Sequence, residues 1–164
     1  MNACLIYGYA QCEDGSLDYQ TMARCDVGAT LYAYEKVQRI FLTVEISKGG
    51  VSMACAMKEY LCRCHDIVPG DVVIFLEGRN TAGETDAFLS RTRIEIDLKK
   101  IYVVSTWYHI PRILFLWWVR RRMPQPAISW RGAHMGDMAI EPLKMANAIL
   151  RPFRSAKVVS TQPA

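Results

Sequence analysis

The sequence lacks an apolar run long enough to cross a bilayer, which requires roughly 20 residues. Its longest apolar run, Ile113–Val119, is much shorter and lies between Arg112 and Arg120–Arg122. We therefore interpret it as a buried helix that ends in cations suited to the helix dipole. Two adjacent tryptophans, Trp117 and Trp118, cannot both point inward on one helix. A surface that faces a protein partner, or makes a peripheral membrane contact, is the alternative interpretation.

A strong charge of one sign is also missing from the chain. The sequence has 20 Lys and Arg residues and 16 Asp and Glu residues, which give a net charge of +4 at pH 7. This excess favours an anionic ligand but is too small to indicate nucleic acid binding. A basic stripe interleaved with stacking aromatic residues is absent as well. The sequence thus predicts a small anionic or nucleotide-like partner and no nucleic acid.

The segment Met1–Tyr9 lacks the basic start and the long apolar run of a secretory leader. We therefore expect a cytoplasmic protein whose six cysteines are reduced. Cys62, Cys64 and His65 are close enough in sequence to suggest zinc. However, no distant second pair accompanies them, and neighbouring side chains diverge near the end of a helix. No metal is expected.

Five apolar, β-prone runs are separated by segments of helical character at a spacing of about 30 residues, as in right-handed βαβ units. The runs are almost continuously apolar, which is typical of parallel strands covered on both faces. The five predicted strands are Ala3–Tyr7, Arg39–Ile46, Asp71–Leu76, Lys100–Ser105 and Pro126–Trp130.

Helical periodicity follows the first two runs. Two apolar faces have the helical spacing: Met53, Met57, Tyr60, Leu61 and Cys64 form one, and Val27, Leu31 and Tyr34 form the other. The alternation predicts an α/β fold, a Rossmann-like three-layer sandwich with a mainly parallel five-stranded sheet. We expect one domain over residues 1–156, followed by a flexible C-terminal tail over residues 157–164.

In a sheet of this kind, ligands bind beyond the carboxyl ends of the strands, where the chain enters the next helix. Polar and glycine residues collect at these points of the sequence, so they predict a ligand site at one edge of the sheet. The candidates are Gly8 and Asp14 after the first strand, Lys48, Gly49, Gly50 and Ser52 after the second, Glu77, Asn80 and Thr81 after the third, and Ser105, Thr106, His109 and Arg112 after the fourth.

The glycine pair Gly49-Gly50 before Ser52 is compatible with two roles. One is a plain turn followed by a helix cap. The other is a loop whose backbone N–H groups approach an anion at a helix N-terminus, with Lys48 adding charge. The segment matches neither the Walker A pattern nor the GxGxxG dinucleotide pattern. Both roles stay open.

Asn80 and Thr81 precede a segment of helical character. The Asn80-Thr81 pair is predicted to cap this helix, with Glu84 completing a capping box from Thr81. The same helix start can contact a ligand, because capping and binding use the same backbone groups. The nearby Glu77 favours this second role.

His109 and Arg112 are three residues apart, so they share one face of a helix. Pro111 suits the first turn of that helix because it needs no hydrogen bond there. A histidine, an arginine and Thr106 at one strand-to-helix turn more often form an anion or proton-transfer site than a structural one. This turn is the centre of the predicted site.

These segments resemble the signatures of one protein family. Ser105–Arg112 is similar to its T-S-x-Y-H-M-P-R-A signature, and Glu77–Thr81 is similar to its E-x-x-S-x-N-T-x-E-N signature. Asp14-Gly15 followed by Arg24 resembles its D-G…R start, and Ser52–Met57 resembles its S-E-A-x-A-M helix. The family is the domain-of-unknown-function 218 family, the SanA/ElyC/YdcF-like proteins associated with the cell envelope.

The resemblance implies a Rossmann-like fold with a pocket at the strand ends, and it adds Arg24 to the ligand-binding residues. One member of the family has been linked to S-adenosylmethionine binding, and others to the metabolism of cell-envelope polymers or lipid carriers. The resemblance therefore implies one of these ligand classes for this chain. Met53 stands where the family usually has glutamate. Gly83 and Glu84 stand where it usually has glutamate and asparagine.

Three functions are compatible with this sequence. In the first, the protein is a hydrolase or transferase for a phosphorylated or nucleotide-like molecule. Arg112 and Lys48 would hold the anionic group, and His109 would act as the acid or base. The Asn80-Thr81 pair would orient the ligand, and Glu77 would bind a hydroxyl or position a water molecule.

The second function is a non-catalytic module that binds a nucleotide-like ligand of the S-adenosylmethionine type. It differs from the first in predicting saturable binding without turnover. The third is an envelope-linked interaction protein that docks through the surface of Ile113–Val119.

Overall fold

Seven strands form two sheets in the computed structural model, which describes residues 1–78, 80–95, 98–131 and 138–146. The strands are β1 (Asn2–Ile6), β2 (Arg39–Val44), β3 (Ser47–Lys48), β4 (Val51–Ser52), β5 (Val72–Gly78), β6 (Lys100–Thr106) and β7 (Gln125–Ser129). The short strands β3 and β4 pair as an antiparallel hairpin. The other five form a parallel sheet in the order β5-β2-β1-β6-β7. The predicted Rossmann-like α/β fold with a parallel five-stranded sheet is confirmed.

Helices cover both faces of this sheet. Helices α1 (Tyr19–Ala33) and α2 (Met53–His65) pack on one face, and α3 (Thr81–Glu95) and α4 (Ile110–Val119) pack on the other. Single 3₁₀ turns occur at Pro69–Asp71 and Trp107–His109. Residues 138–146 are also helical and are labelled α5 here.

The central strand β1 contributes side chains to both cores. Cys4 and Ile6 pack with α1 and α2, whereas Ala3 and Leu5 pack with α3 and α4. Successive side chains of a strand point to opposite faces. A strand that is covered on both sides must therefore be apolar at every position, which is why the sequence shows continuous runs rather than alternation.

All five predicted strands are present, with ends shifted by one or two residues. The face predicted for α2 buries Met53, Met57 and Leu61 and partly buries Tyr60, whereas Cys64 is exposed. In the face predicted for α1, Val27 and Leu31 are partly buried against the core, whereas Tyr34 follows the helix and is 74% exposed. Helix α1 also buries the polar residue Gln20 and the charged residue Arg24. An apolar pattern cannot predict such a face.

The order of the strands creates a topological switch point between β1 and β6. The chain runs from β1 outward to β2 and β5, then returns to the opposite side of β1 to form β6 and β7. Helix α1 follows β1 on one face, and α4 follows β6 on the other face. In open α/β sheets, the loops separate at such a point and leave room for a ligand.

The apolar run Ile113–Val119 lies in α4, and its two tryptophans are oriented differently. The Trp117 side chain is fully buried, and its indole N–H donates to the hydroxyl of Tyr7 at 2.9 Å. The Trp118 side chain is 64% exposed. Among the residues described, no helix has both the length and the apolar character needed to span a membrane. The predicted tail over residues 157–164 lies outside the described residues.

This difference between neighbours predicts unequal effects on stability. Trp117→Ala should lower the free energy of unfolding by about 3–5 kcal/mol, because it leaves a cavity and removes the hydrogen bond that the indole donates to Tyr7. Trp118→Ala should change it by less than about 0.5 kcal/mol, as is usual for exposed positions. Urea unfolding of the two variants measures both values, and equal losses would contradict this packing of α4.

Candidate functional site

The carboxyl ends of β1 and β6 are surrounded by polar side chains from several elements. Hydrogen bonds, ion pairs and close charges connect them into one buried group, called the switch-point cluster here. Its members are Arg24, Thr81, Glu84, Ser105, Thr106, His109, Arg112 and Glu141. The cluster lies at the switch point of the sheet, where this fold commonly binds ligands.

Arg24 reaches from α1 to the ends of both central strands. Its guanidinium donates to the carbonyl oxygens of Tyr7 and Gly8 at 2.9 and 2.7 Å. A third hydrogen bond, of 2.9 Å, goes to the hydroxyl of Thr106. The side chain is almost fully buried, its Nε has no partner, and the guanidinium lies 5.3 Å from the centre of the Tyr9 ring. Arg24 thus joins β1 to β6 and places a positive charge beneath the site.

His109 is held as a neutral imidazole. Its Nε2 accepts a hydrogen bond from the guanidinium of Arg112, which can only donate. The proton must therefore be on Nδ1, which lies 3.0 Å from the hydroxyl oxygen of Ser105. Burial, and then the charges of Arg112 and Arg24, lower the pKa of His109 well below its ordinary value. Arg112 consequently selects the Nδ1–H tautomer, and the hydroxyl of Ser105 accepts the hydrogen bond from Nδ1.

Arg112 projects from the first turn of α4 toward α3. It donates to the hydroxyl of Thr81 at 3.0 Å, and Thr81 also lies 3.5 Å from Nε2 of His109. On its other side, the Nε of Arg112 is 3.5 Å from a carboxylate oxygen of Glu141. This contact lacks hydrogen-bond geometry, because the same two atoms have no hydrogen-bond partner.

Glu84 is the second buried carboxyl group of the cluster. It accepts a hydrogen bond from the backbone N–H of Gly8, and its Oε2 has no partner. Burial raises the pKa of Glu84 to about 8, although Arg24 and Arg112 act in the opposite direction. A side chain at Gly78 would place its Cβ 2.5 Å from the Cγ of Glu84, so glycine is needed there for Glu84 to occupy this position.

The capping box predicted for α3 is therefore wrong in its details. The side chain of Asn80, not Thr81, accepts a hydrogen bond from the N–H of Gly83, at 3.0 Å. The carbonyl of Asn80 accepts from the N–H of Glu84 at 2.8 Å. Thr81 is left free to hold Arg112, and Glu84 points into the protein rather than back to the cap.

The charges of the cluster do not balance. Two guanidinium groups, the buried one of Arg24 and the largely buried one of Arg112, lie near the carboxyl groups of Glu84 and Glu141. Glu84 is largely protonated at pH 7, because its pKa is about 8, and His109 is neutral. Burying an unbalanced charge is costly, and such clusters occur preferentially at functional sites. The excess positive charge is suited to an anionic ligand.

Two of the charged candidates make ion pairs on the surface instead. Glu77 accepts hydrogen bonds from Arg91 of α3, and both side chains are substantially exposed. Lys48 pairs with Glu13 at 2.5 Å, also at the surface. Within the described ranges, no contact joins either residue to His109 or Arg112.

Other candidates shape the loops at the carboxyl edge. Asp14 accepts hydrogen bonds from the backbone N–H and hydroxyl of Ser16, which makes it a turn residue. Gly49 and Gly50 have φ values of +55° and +75° and form the turn of the β3-β4 hairpin. Ser52 precedes α2, but its hydroxyl makes no capping bond and is buried without a partner. The turn interpretation therefore describes the glycine pair.

Sequence reasoning missed two polar residues around the site, Gln20 and Glu141, and noted Tyr108 only as one of the residues that follow the fourth strand. Tyr108 donates from its hydroxyl to the side-chain oxygen of Gln20 at 2.8 Å, and both are buried. Gln20 had no signal in the apolar pattern, because it lies on the polar inward face of α1. Glu141 had no local signal, because its partners lie in distant parts of the chain.

The cysteine cluster lies away from the switch point. His65 is 2.9 Å from Asp26, which also accepts from the hydroxyl of Tyr60 at 2.8 Å, so these side chains connect α2 to α1. Cys64 is exposed and free. In the parts of the chain that the structure describes, no three His, Cys, Asp or Glu side chains are grouped as metal ligands.

Comparisons with protein-family models, with curated proteins and with solved structures find no match to this chain. The likeness to the domain-of-unknown-function 218 family therefore depends on the motif residues alone. Among these, Arg24 contacts Thr106, and Arg112 contacts Thr81 and His109.

The raised pKa of Glu84 predicts a pH dependence of stability. The unfolded carboxyl group loses its proton near pH 4.5, whereas the folded group keeps it until about pH 8. Between these values the folded state binds the extra proton, so stability falls as pH rises, by at most about 1.4 kcal/mol per pH unit. Glu84→Gln removes this loss. The free energy of unfolding of Glu84→Gln, relative to the parent protein, should rise between pH 5 and pH 8.

Urea unfolding at pH 5, 6.5 and 8 measures this difference. Glu59→Gln serves as the matched control, because Glu59 is an exposed carboxylate paired with Arg63. A difference between Glu84→Gln and the parent that stays constant over this range would show that Glu84 is ionised throughout.

Proposed function

We propose that this protein binds a phosphorylated or nucleotide-like small molecule at the switch-point cluster. The observation that carries the proposal is the position of two guanidinium groups, the buried one of Arg24 and the largely buried one of Arg112, in a cluster where burial raises the pKa of Glu84 to about 8. A ligand phosphate would neutralise this excess charge in a setting of low dielectric constant, where the attraction is strong. The resemblance to the SanA/ElyC/YdcF-like proteins is consistent with the same site.

Arg112 and Thr81 are the direct anion-binding groups in this proposal. The guanidinium of Arg112 is partly accessible and has an unpartnered Nε, and the hydroxyl of Thr81 lies 3.0 Å from it. Arg24 acts differently, because two of its nitrogens already hold the strand ends. It contributes charge from below and keeps the loops after β1 and β6 in place.

Glu84 takes over the role that the sequence suggested for Glu77. A protonated carboxyl group can donate to one ligand oxygen and accept from a hydroxyl. The unpartnered Oε2 of Glu84 is buried beside Gly8 at the end of β1, whereas Glu77 is engaged by Arg91. We therefore assign the recognition of a ligand hydroxyl, such as that of a sugar, to Glu84.

His109 gives the site the means for catalysis as a hydrolase or transferase. Its pKa is lowered, so the imidazole is unprotonated at physiological pH and can accept a proton. Its Nε2 is engaged by Arg112 here. When a ligand phosphate attracts the guanidinium, this nitrogen becomes available to take a proton from a water molecule or a hydroxyl group.

The second candidate function is a non-catalytic nucleotide-binding module. The observation that favours it is the hydrogen bond from Arg112 to Nε2 of His109, which occupies the only lone pair the imidazole could use as a base. Binding without turnover follows if this contact persists in the complex. S-adenosylmethionine is the ligand that the family resemblance suggests for such a module. Its cationic sulfonium, however, fits a positive cluster less well than a phosphate does.

Titration calorimetry with adenosine monophosphate tests the proposal. Arg112→Ala should weaken binding about 10- to 100-fold, the usual loss for a charge-assisted hydrogen bond. Arg63→Ala should leave it unchanged, because Arg63 pairs with Glu59 on the surface of α2. Product analysis with a set of nucleotides and sugar phosphates then separates the two candidates. His109→Ala should abolish any turnover while retaining binding.

Two outcomes would reject the proposed function. One is the absence of saturable binding of nucleotides and sugar phosphates by the parent protein. The other is full binding and full turnover in both His109→Ala and Arg112→Ala, which would locate the ligand elsewhere in the molecule.

A further inference from the structure

A carboxylate from a distant part of the chain lies where the proposed function would place a ligand anion. Glu141 belongs to α5, and its side chain is only 9% exposed. Its two oxygens lie 3.5 Å from Nε of Arg112 and 3.8 Å from Nε2 of His109. The ammonium group of Lys144, one turn further along α5, is 3.4 Å away.

The contact between Glu141 and Arg112 is not that of a structural ion pair. Arginine and carboxylate groups that stabilise a fold usually form two parallel hydrogen bonds of about 2.7–2.9 Å. Here Nε of Arg112 and Oε2 of Glu141 are both buried and both without a hydrogen-bond partner. Without such bonds, the attraction between two buried charges hardly offsets the loss of their hydration. The pair is thus electrostatically matched but poorly bonded.

We infer that the carboxylate of Glu141 is an internal substitute for the phosphoryl group of the ligand, and that the ligand binds by displacing it. This inference depends on the proposed function, because it concerns the same site. The subsite consists of Arg112 and Thr81 on one side and Lys144 on the other, with His109 between them. Both charged side chains that lie close to Glu141 in this subsite, Arg112 and Lys144, are cations.

A phosphoryl group satisfies these donors better than the carboxylate does. It carries up to two charges and three terminal oxygens in a tetrahedral array. It can therefore accept from Arg112, Thr81 and Lys144 at the same time, whereas Glu141 is tethered to α5 and lies 3.5 Å from Arg112 and 3.4 Å from Lys144. The displaced carboxylate remains close to Lys144, its neighbour on the same helix.

An internal competitor blocks the site for part of the time. The apparent affinity for a ligand is then the intrinsic affinity multiplied by the fraction of molecules in which the site is free. Removing the charge of Glu141 should therefore strengthen the binding of a free anion. This result distinguishes a competitor from a residue that helps to hold the ligand, because loss of a helper weakens binding. The ligand class that follows is a terminal phosphate monoester rather than an internal phosphodiester, since only the former presents three oxygens.

Titration of the full-length protein with inorganic phosphate tests the inference, because phosphate carries the relevant group alone. Glu141→Gln should bind phosphate about tenfold more tightly than the parent protein. Glu59→Gln, which removes an exposed carboxylate far from the site, should bind like the parent. In thermal unfolding, phosphate should raise the Tm of Glu141→Gln more than it raises that of the parent.

A second variant guards against misfolding of Glu141→Gln. Glu141→Asp keeps the charge but withdraws it by one methylene group, so its affinity for phosphate should lie between those of the parent and Glu141→Gln. If both variants bind phosphate no more tightly than a parent protein that does bind it, the inference is wrong and the proposed function stands. If the parent and both variants show no saturable binding of phosphate or of adenosine monophosphate, the proposed function fails as well.

Discussion

The site depends on the hydrogen bonds that the buried guanidinium of Arg24 donates to the ends of β1 and β6. Where β1 leaves the sheet, the carbonyl groups of Tyr7 and Gly8 lose their strand partners, and buried carbonyl groups must be satisfied in another way. Arg24 supplies the donors and extends a third hydrogen bond to Thr106 on the neighbouring strand. One side chain thereby closes the gap between two strands whose following helices lie on opposite faces of the sheet.

This positive charge at the sheet edge influences the protonation of the groups around it. His109 is neutral because burial and two nearby guanidinium groups all oppose its charged form, as its lowered pKa indicates. Glu84 is held between opposing effects: burial raises its pKa, whereas Arg24 and Arg112 lower it. The cluster therefore combines a neutral base, a protonated acid and fixed cations within a small volume. Sites that bind and activate small anions are commonly built from such combinations.

The fold could be predicted from the sequence because its central strands are buried on both faces. Continuous apolar runs such as Ala3–Ile6 in β1 and Ile40–Leu42 in β2 are a direct consequence of that burial. The turn with Thr106, His109 and Arg112 could also be predicted, since these residues are local in sequence and follow one strand. In contrast, the inward face of α1 could not, because it carries Gln20 and Arg24 in place of apolar residues.

The remaining parts of the site depend on contacts between distant segments. Glu84 was expected to act in a local capping box. Its side chain instead lies in the interior, where the absence of a side chain at Gly78 leaves room for it. Lys48 and Glu77 were expected at the site on the basis of their strand ends, yet each has a closer partner of opposite charge at the surface. Glu141 has no sequence signal at all. Spacing along the chain reveals a site within one turn, but it does not reveal which distant charges complete it.

A crystal structure of the protein soaked with a mixture of nucleoside monophosphates and sugar phosphates tests the central claim most directly. The account predicts electron density for a phosphoryl group within hydrogen-bond distance of Arg112 and Thr81, with the carboxylate of Glu141 turned away from it. Density for a phosphoryl group at another place, such as the β3-β4 hairpin beside Lys48, with Glu141 still between Arg112 and His109, would contradict it.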